Sequence, residues 1–229
     1  MAELKTLGDP QIKSILQKHG VREPLFGVRV GDMKPIQKRI KKDYQLAKEL
    51  YATGNADAMY LAGLIADDEK MTLADLQTWV RQALSNNICD YTVPWVAAGS
   101  PYGYQLAMEW IDATEQHIAA AGWATLSSLV SLRPDATLDM AALRSLLKRV
   151  AGAIHSAQDR VRYAMNGFII AVGAYVIPLK EEALATAKKM GTVTVDMDGT
   201  ACKVPDAAEY IARIESRGAL GKKKKTVKC

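Results

Sequence analysis

Four polar residues, His155, Asp159, Arg162 and Asn166, recur at intervals of four, three and four in a largely apolar stretch. That spacing gathers them on one face of a helix. A polar stripe on a helix that is otherwise buried must meet solvent or line a groove. Arg162 and Asn166 carry the donors that suit a phosphate or a base edge, and Arg160 lies beside them. A competing reading closes the stripe on itself, with an internal Asp159–Arg162 pair and Asn166 satisfied in the core, so that Arg160 alone carries any phosphate contact. Cations form two further constellations: Lys34, Lys38, Arg39, Lys41 and Lys42 in one run, Lys222 to Lys225 and Lys228 in the other, with no acid in either. Without those ten residues, 20 basic face 25 acidic ones. Two basic patches on a slightly acidic body point to a polyanion met at defined places, and the second run reads equally as a solvated tail.

Two motifs fail for want of context. VDMDGT at 195–200 imitates the DxDGT motif of haloacid dehalogenase-like phosphatases, whose first Asp is a nucleophile. It would have to end the first strand of a Rossmann-like sheet, and no parallel-strand pattern precedes it. The same segment lacks the later ligands and closing Glu of a calcium loop. Cys89, Cys202 and Cys229 are odd in number and without CxxC spacing, so neither a disulfide framework nor a zinc site is indicated. No metal or cofactor is called for.

The elements that must position these residues read as helices. Within 33–52, Ile36, Ile40, Tyr44, Ala47 and Tyr51 share one face, with Lys34, Lys38, Lys41, Lys42 and Lys48 on the other. Amphipathic stretches continue at 4–19, 56–66, 73–84, 104–111, 115–130, 140–154, 159–176, 179–190 and 206–216, separated by breakers such as Gly54-Asn55 and Arg133-Pro134-Asp135. The segments 61–66, 119–130 and 165–176 are apolar nearly all round. They predict helices buried on two sides, where Gly63, Gly122, Gly167 and Gly173 let neighbours come close. The expected fold is all-α, a HEAT-like α-solenoid of stacked antiparallel helix pairs, with a compact bundle as the structural alternative. Alternation at Val193, Val195 and Met197 before Asp198-Gly199 adds a small hairpin returning through 201–204. The 229 residues, 49% apolar and 24% charged, contain no linker and predict one domain over 1–229, with 222–229 a mobile basic tail. The longest uncharged stretch, 163–179, includes Asn166 and falls short of a membrane span, and the start lacks a signal-peptide core. A soluble protein of the reducing cytoplasm is expected.

PLFGVRVGDMKPIQKRIKK (24–42), DAMYLAGLIAD (57–67), DYTVPWVA (90–97) and EWIDATEQHIAAAGWATLSSLV (109–130) together resemble the AlkD-like DNA alkylation repair family. The resemblance covers most of the chain from about 24 to 176. It implies an α-solenoid of HEAT-like helix pairs that grips duplex DNA on a basic face and removes N3- and N7-alkylated purines. The family's basic helix puts Lys34, Lys38, Lys41 and Lys42 on DNA, where the polar stripe adds Arg160, Arg162 and Asn166, and Trp110 matches the tryptophan at the lesion. The family's Asp, four residues on, falls on Thr114, with Asp112 and Glu115 the nearest carboxylates; its later Arg falls on Ala171. An alkylated purine is cationic, so excision needs an anion and an electron-rich aromatic face to stabilise positive charge on the sugar. Trp110 with Asp112 or Glu115 would supply both if the helix ends near Ile111. Otherwise Trp110 is a core aromatic and Glu115 a helix cap. The readings are a glycosylase acting on duplex DNA, a non-catalytic HEAT-like protein that recognises DNA shape or branched DNA, and a protein-binding helical scaffold. No obligatory protein partner or membrane is implied, and DNA binding would associate the protein with the nucleoid.

Overall fold

The computed structural model describes residues 1–196, 200 and 202–229, and these form thirteen α-helices, short 3-10 turns and one π turn, with no strand. They group into two compact units: Met1–Gly103 with Lys228–Cys229, and Tyr104–Asp196 with Cys202–Val227.

The first unit contains α1 (Ala2–Thr6), α2 (Pro10–Lys18), α3 (Val30–Ile40), α4 (Tyr44–Ala52), α5 (Ala56–Ile65), α6 (Leu73–Gln82) and α7 (Val93–Gly99). Two of the amphipathic stretches break where the periodicity runs on. Residues 4–19 divide at Gly8-Asp9-Pro10: the Asp9 carboxylate accepts the N–H groups of Gln11 and Ile12, and Pro10 opens α2 with its φ already helical. Residues 33–52 divide after Lys41, which turns into the left-handed region at φ 65, and Asp43 caps α4 through the N–H of Leu46. Helix α5 is buried along its whole length and packs against α3, α4 and α7. Tyr51 of α4 stacks on Trp79 of α6 at 4.0 Å and donates its hydroxyl to the Trp79 carbonyl. A π turn at Ile88–Thr92 leads into α7 and sets the Thr92 side chain against Gly63, where an added Cβ would stand 2.5 Å from Thr92 Cγ2.

The second unit follows from α8 (Gly103–Trp110) through α9 (Gln116–Leu132), α10 (Met140–Ala153), α11 (Asp159–Tyr175), α12 (Lys180–Met190) and α13 (Ala207–Ser216). Its core is the pair α9 and α11, joined by Trp123 and Phe168 with ring centroids 5.3 Å apart. Helices α12 and α13 cover α11, and Gly173 receives Ile211 there. Of the four glycines expected at close approaches, Gly167 is the exception, with open space where its Cβ would be.

The expected hairpin is not formed by the described residues: 193–196 and 202–204 pair in no strand, and the turn at 197–199 lies outside the described residues. The basic run 222–229, expected as a mobile tail, is tied inward, with Lys223 on Asp135 at 2.8 Å, the Lys224 N–H on Ser131 and Lys228 on Asp68 at 2.7 Å. No described helix is long and apolar enough to cross a membrane.

Candidate nucleic-acid interface

Helix α3 carries the first basic run, and its placement starts from a buried carboxylate. Asp57, in the first turn of α5 and only 3% exposed, accepts three consecutive backbone N–H groups, from Phe26, Gly27 and Val28, at 2.5, 3.0 and 3.0 Å. The turn that launches α3 is thereby fixed to the core, and Gly27 supplies its positive φ of 85. Met33 and Ile36 bury the inner face of α3, which leaves Lys34, Lys38, Arg39, Lys41 and Lys42 exposed on the outside. Arg39 is engaged by Glu3 and Lys42 lies 3.7 Å from Asp67. Among the described residues no carboxylate stands within ion-pair distance of Lys34, Lys38 or Lys41. Lys34 and Lys38 on α3, with Lys41 at its C-cap, are thus not neutralised by any described carboxylate.

Each residue expected at a lesion has partners within the chain. Helix α8 does end at Trp110, as the excision reading requires, but the indole is 1% exposed and points into the core. Gly122 of α9 lies against the backbone above it, with an added Cβ only 2.7 Å from the Ile111 nitrogen. Asp112 is exposed and pairs with Arg149 at 2.7 Å, while the same guanidinium donates to the Ile111 carbonyl and sits over the Trp123 ring. Glu115 is the N-cap of α9; its own backbone N–H and the Thr114 hydroxyl hold its carboxyl below the ordinary range. The indole is thus buried, while Asp112 is held by Arg149 and Glu115 by the N-cap of α9.

Asp159, Arg162 and Asn166 of the polar stripe lie on α11, whereas His155 stands in the 3-10 turn at Ile154–Ser156 before it, and the stripe meets the chain itself. His155 Nε2 lies 2.8 Å from the Met190 carbonyl oxygen, Arg162 donates to the carbonyls of Ala157 and Thr194, and Asn166 donates to that of Pro205 at 2.9 Å. Asp159 stands 3.6 Å from Arg162. Asn166 is 1% exposed, so its amide is a core group and offers no base contact. Arg162, expected at a phosphate, instead holds Thr194 in the segment that follows α12. Arg160 lies over the Tyr163 ring at 4.7 Å, and its backbone N–H donates to the Gln116 side chain. Sequence reasoning misses the structural carboxylate Asp57 and the clasping role of the stripe. Asp57 leaves a signal in its pairing with a Gly-containing turn thirty residues before it, but an Asp in a first helical turn ordinarily matches the helix dipole from outside.

Residues 1–211 match the model of the family described as DNA alkylation repair enzyme. The chain belongs to that family. As a family member it is 32% identical over 222 residues to an uncharacterized protein of Listeria innocua and, equally, to one of Listeria monocytogenes; each match covers 94% of this chain and 95% of the relative. A solved structure covers 100% of this chain and 97% of its own, at 38% identity and a TM-score of 0.92. That structure is described as a new family of proteins related to the HEAT-like repeat DNA glycosylases with affinity for branched DNA structures. The fold of this family member is accordingly all-α and HEAT-like, as the helix pairing of the sequence implies.

Proposed function

We propose that this protein binds DNA through its phosphate backbone, recognises branched or otherwise distorted DNA by shape, and does not excise bases. The observation that carries the reading is the burial of Trp110 at 1% exposure, with Asp112 neutralised by Arg149 and Thr114 where a carboxylate would be needed. Base release from an alkylated purine needs an aromatic face and an anion around the sugar; a buried indole offers no face to a ligand, and Asp112 is already paired with Arg149. Support for the DNA-binding half comes from Lys34 and Lys38 on α3 and Lys41 at its C-cap, and from the solved relative with affinity for branched DNA. Backbone contacts from lysines carry no base information, so discrimination would rest on the geometry of the phosphates.

Excision of N3- or N7-alkylated purines from duplex DNA is the second reading, favoured by the family match over residues 1–211. The two are separated by single-turnover release of 7-methylguanine from methylated duplex, with protein in excess. The proposal expects release at the rate without protein. Release that falls about a hundredfold in Asp112→Asn, an exposed position where folding is spared, would establish the second reading instead.

A further inference from the structure

The second basic run is held at helix ends: those of α9 and α11 within the second unit and that of α5 within the first. The last carbonyls of a helix have no partner within it and carry partial negative charge, which favours cations and outside donors. In the second unit, the N–H of Gly221 donates to Ala174 in the last turn of α11, at 2.8 Å. The N–H of Lys224 donates to Ser131 and the Lys223 ammonium to Val130, both in the last turn of α9. In the first unit, Lys228 donates to Ala66, the C-cap of α5, and to Asp68. Gly221 makes the entry possible: its φ is 70, and a Cβ would lie 2.8 Å from Ile177 Cγ1. The main chain of 221–224 is therefore anchored at successive points.

This anchoring sorts the lysines. Lys223 turns inward, where Asp135 neutralises it at 2.8 Å. Lys222, Lys224 and Lys225 are exposed, and among the described residues none has a carboxylate within ion-pair distance. The Lys224 ammonium is steadied over the Tyr175 ring at 5.5 Å. A free lysine tail would give up chain entropy on meeting a polyanion, whereas these three cations sit on backbone that is already ordered.

We propose that Lys222, Lys224 and Lys225 form a fixed lysine rail that contacts the phosphodiester backbone of DNA, in addition to α3. The proposal rests on the DNA-binding reading above. The test measures the affinity of the full chain for a synthetic four-way junction across a salt series. Each phosphate that a lysine neutralises adds about 0.9 to the slope of log affinity against log salt, so Lys222→Gln/Lys224→Gln/Lys225→Gln together should flatten it by up to roughly 2.7. The triple variant should melt with the wild type; if it does not, Lys225→Gln alone, whose side chain caps none of these helix ends, should still flatten the slope by about 0.9. Lys223→Gln should lower the melting temperature, because it strips Val130 and Asp135 of their partner. Tight wild-type binding with an unchanged slope in folded variants overturns the rail alone. A wild type that binds no DNA overturns both the rail and the reading beneath it.

Discussion

Single residues decide what each candidate position can do, and Asp57 shows how far burial governs that. Its carboxylate satisfies three backbone N–H groups in a site closed to water. Leaving a buried donor unpaired costs about 1–3 kcal/mol. Asp57→Ala should therefore destabilise the chain by about 3 kcal/mol or more in urea denaturation, a large fraction of an ordinary domain's stability. A change under about 1 kcal/mol would mean that water or a backbone shift replaces the carboxylate. The spacing of Asp159, Arg162 and Asn166 is legible as one helix face, but neither the break that puts His155 in a separate turn nor what covers that face is legible. Periodicity reports that a stripe is polar and is silent on whether solvent, a ligand or the chain's own carbonyls meet it. Trp110 is legible as an aromatic at the end of a helix; its burial depends on α9, whose Gly122 closes over the adjoining backbone.

At the scale of elements, the apolar spacing places nearly all the helices and misses two breaks. The faces of α3 and α4 continue in phase across Lys41–Asp43, so the period carries no sign of the interruption, and only the capping aspartate marks it. Gly122 is the close approach that its apolar surroundings predict. Gly122→Ala would push a methyl group onto the backbone at Ile111 and should cost roughly 1–3 kcal/mol, read as a lower melting temperature. Gly167→Ala, facing open space in the same kind of segment, should cost nothing or stabilise, which makes it the control. The start of α6 adds a pH dependence. Burial would raise the Asp75 carboxyl, but hydrogen bonds from Lys48, Tyr44 and Thr72 outweigh it and hold it at about 2, below the ordinary 3.8. A carboxyl lowered on folding stabilises above its unfolded value. That contribution is present above about pH 4 and disappears as pH falls toward 2. Thermal melts across that window should show a loss of stability that Asp75→Asn reduces. An identical acid slope in that variant would assign the loss to other carboxylates.

For the whole molecule, composition announces a polyanion partner only through the clustering of its lysines, since a net charge of +5 is mild. The first cluster forms a rigid exposed face on α3, as expected; the second forms an ordered segment instead of a loose tail. No sequence signal separates those two outcomes, because the carbonyls that hold the second run belong to α9 and α11, far away in the chain. Charge reversal at Lys38 and Lys41 should weaken DNA binding and flatten its salt slope by up to about 1.8, the share of two neutralised phosphates. An unchanged slope would move the contact away from α3. The central claim, that shape and not a damaged base is what this protein recognises, is tested most directly by competition between unmodified DNAs. A four-way junction and a linear duplex with the same number of phosphates offer equal charge and differ in geometry. The junction should displace the duplex, with no alkylated base present in either. Equal affinity for the two, or binding that appears only when the duplex is alkylated, would contradict it.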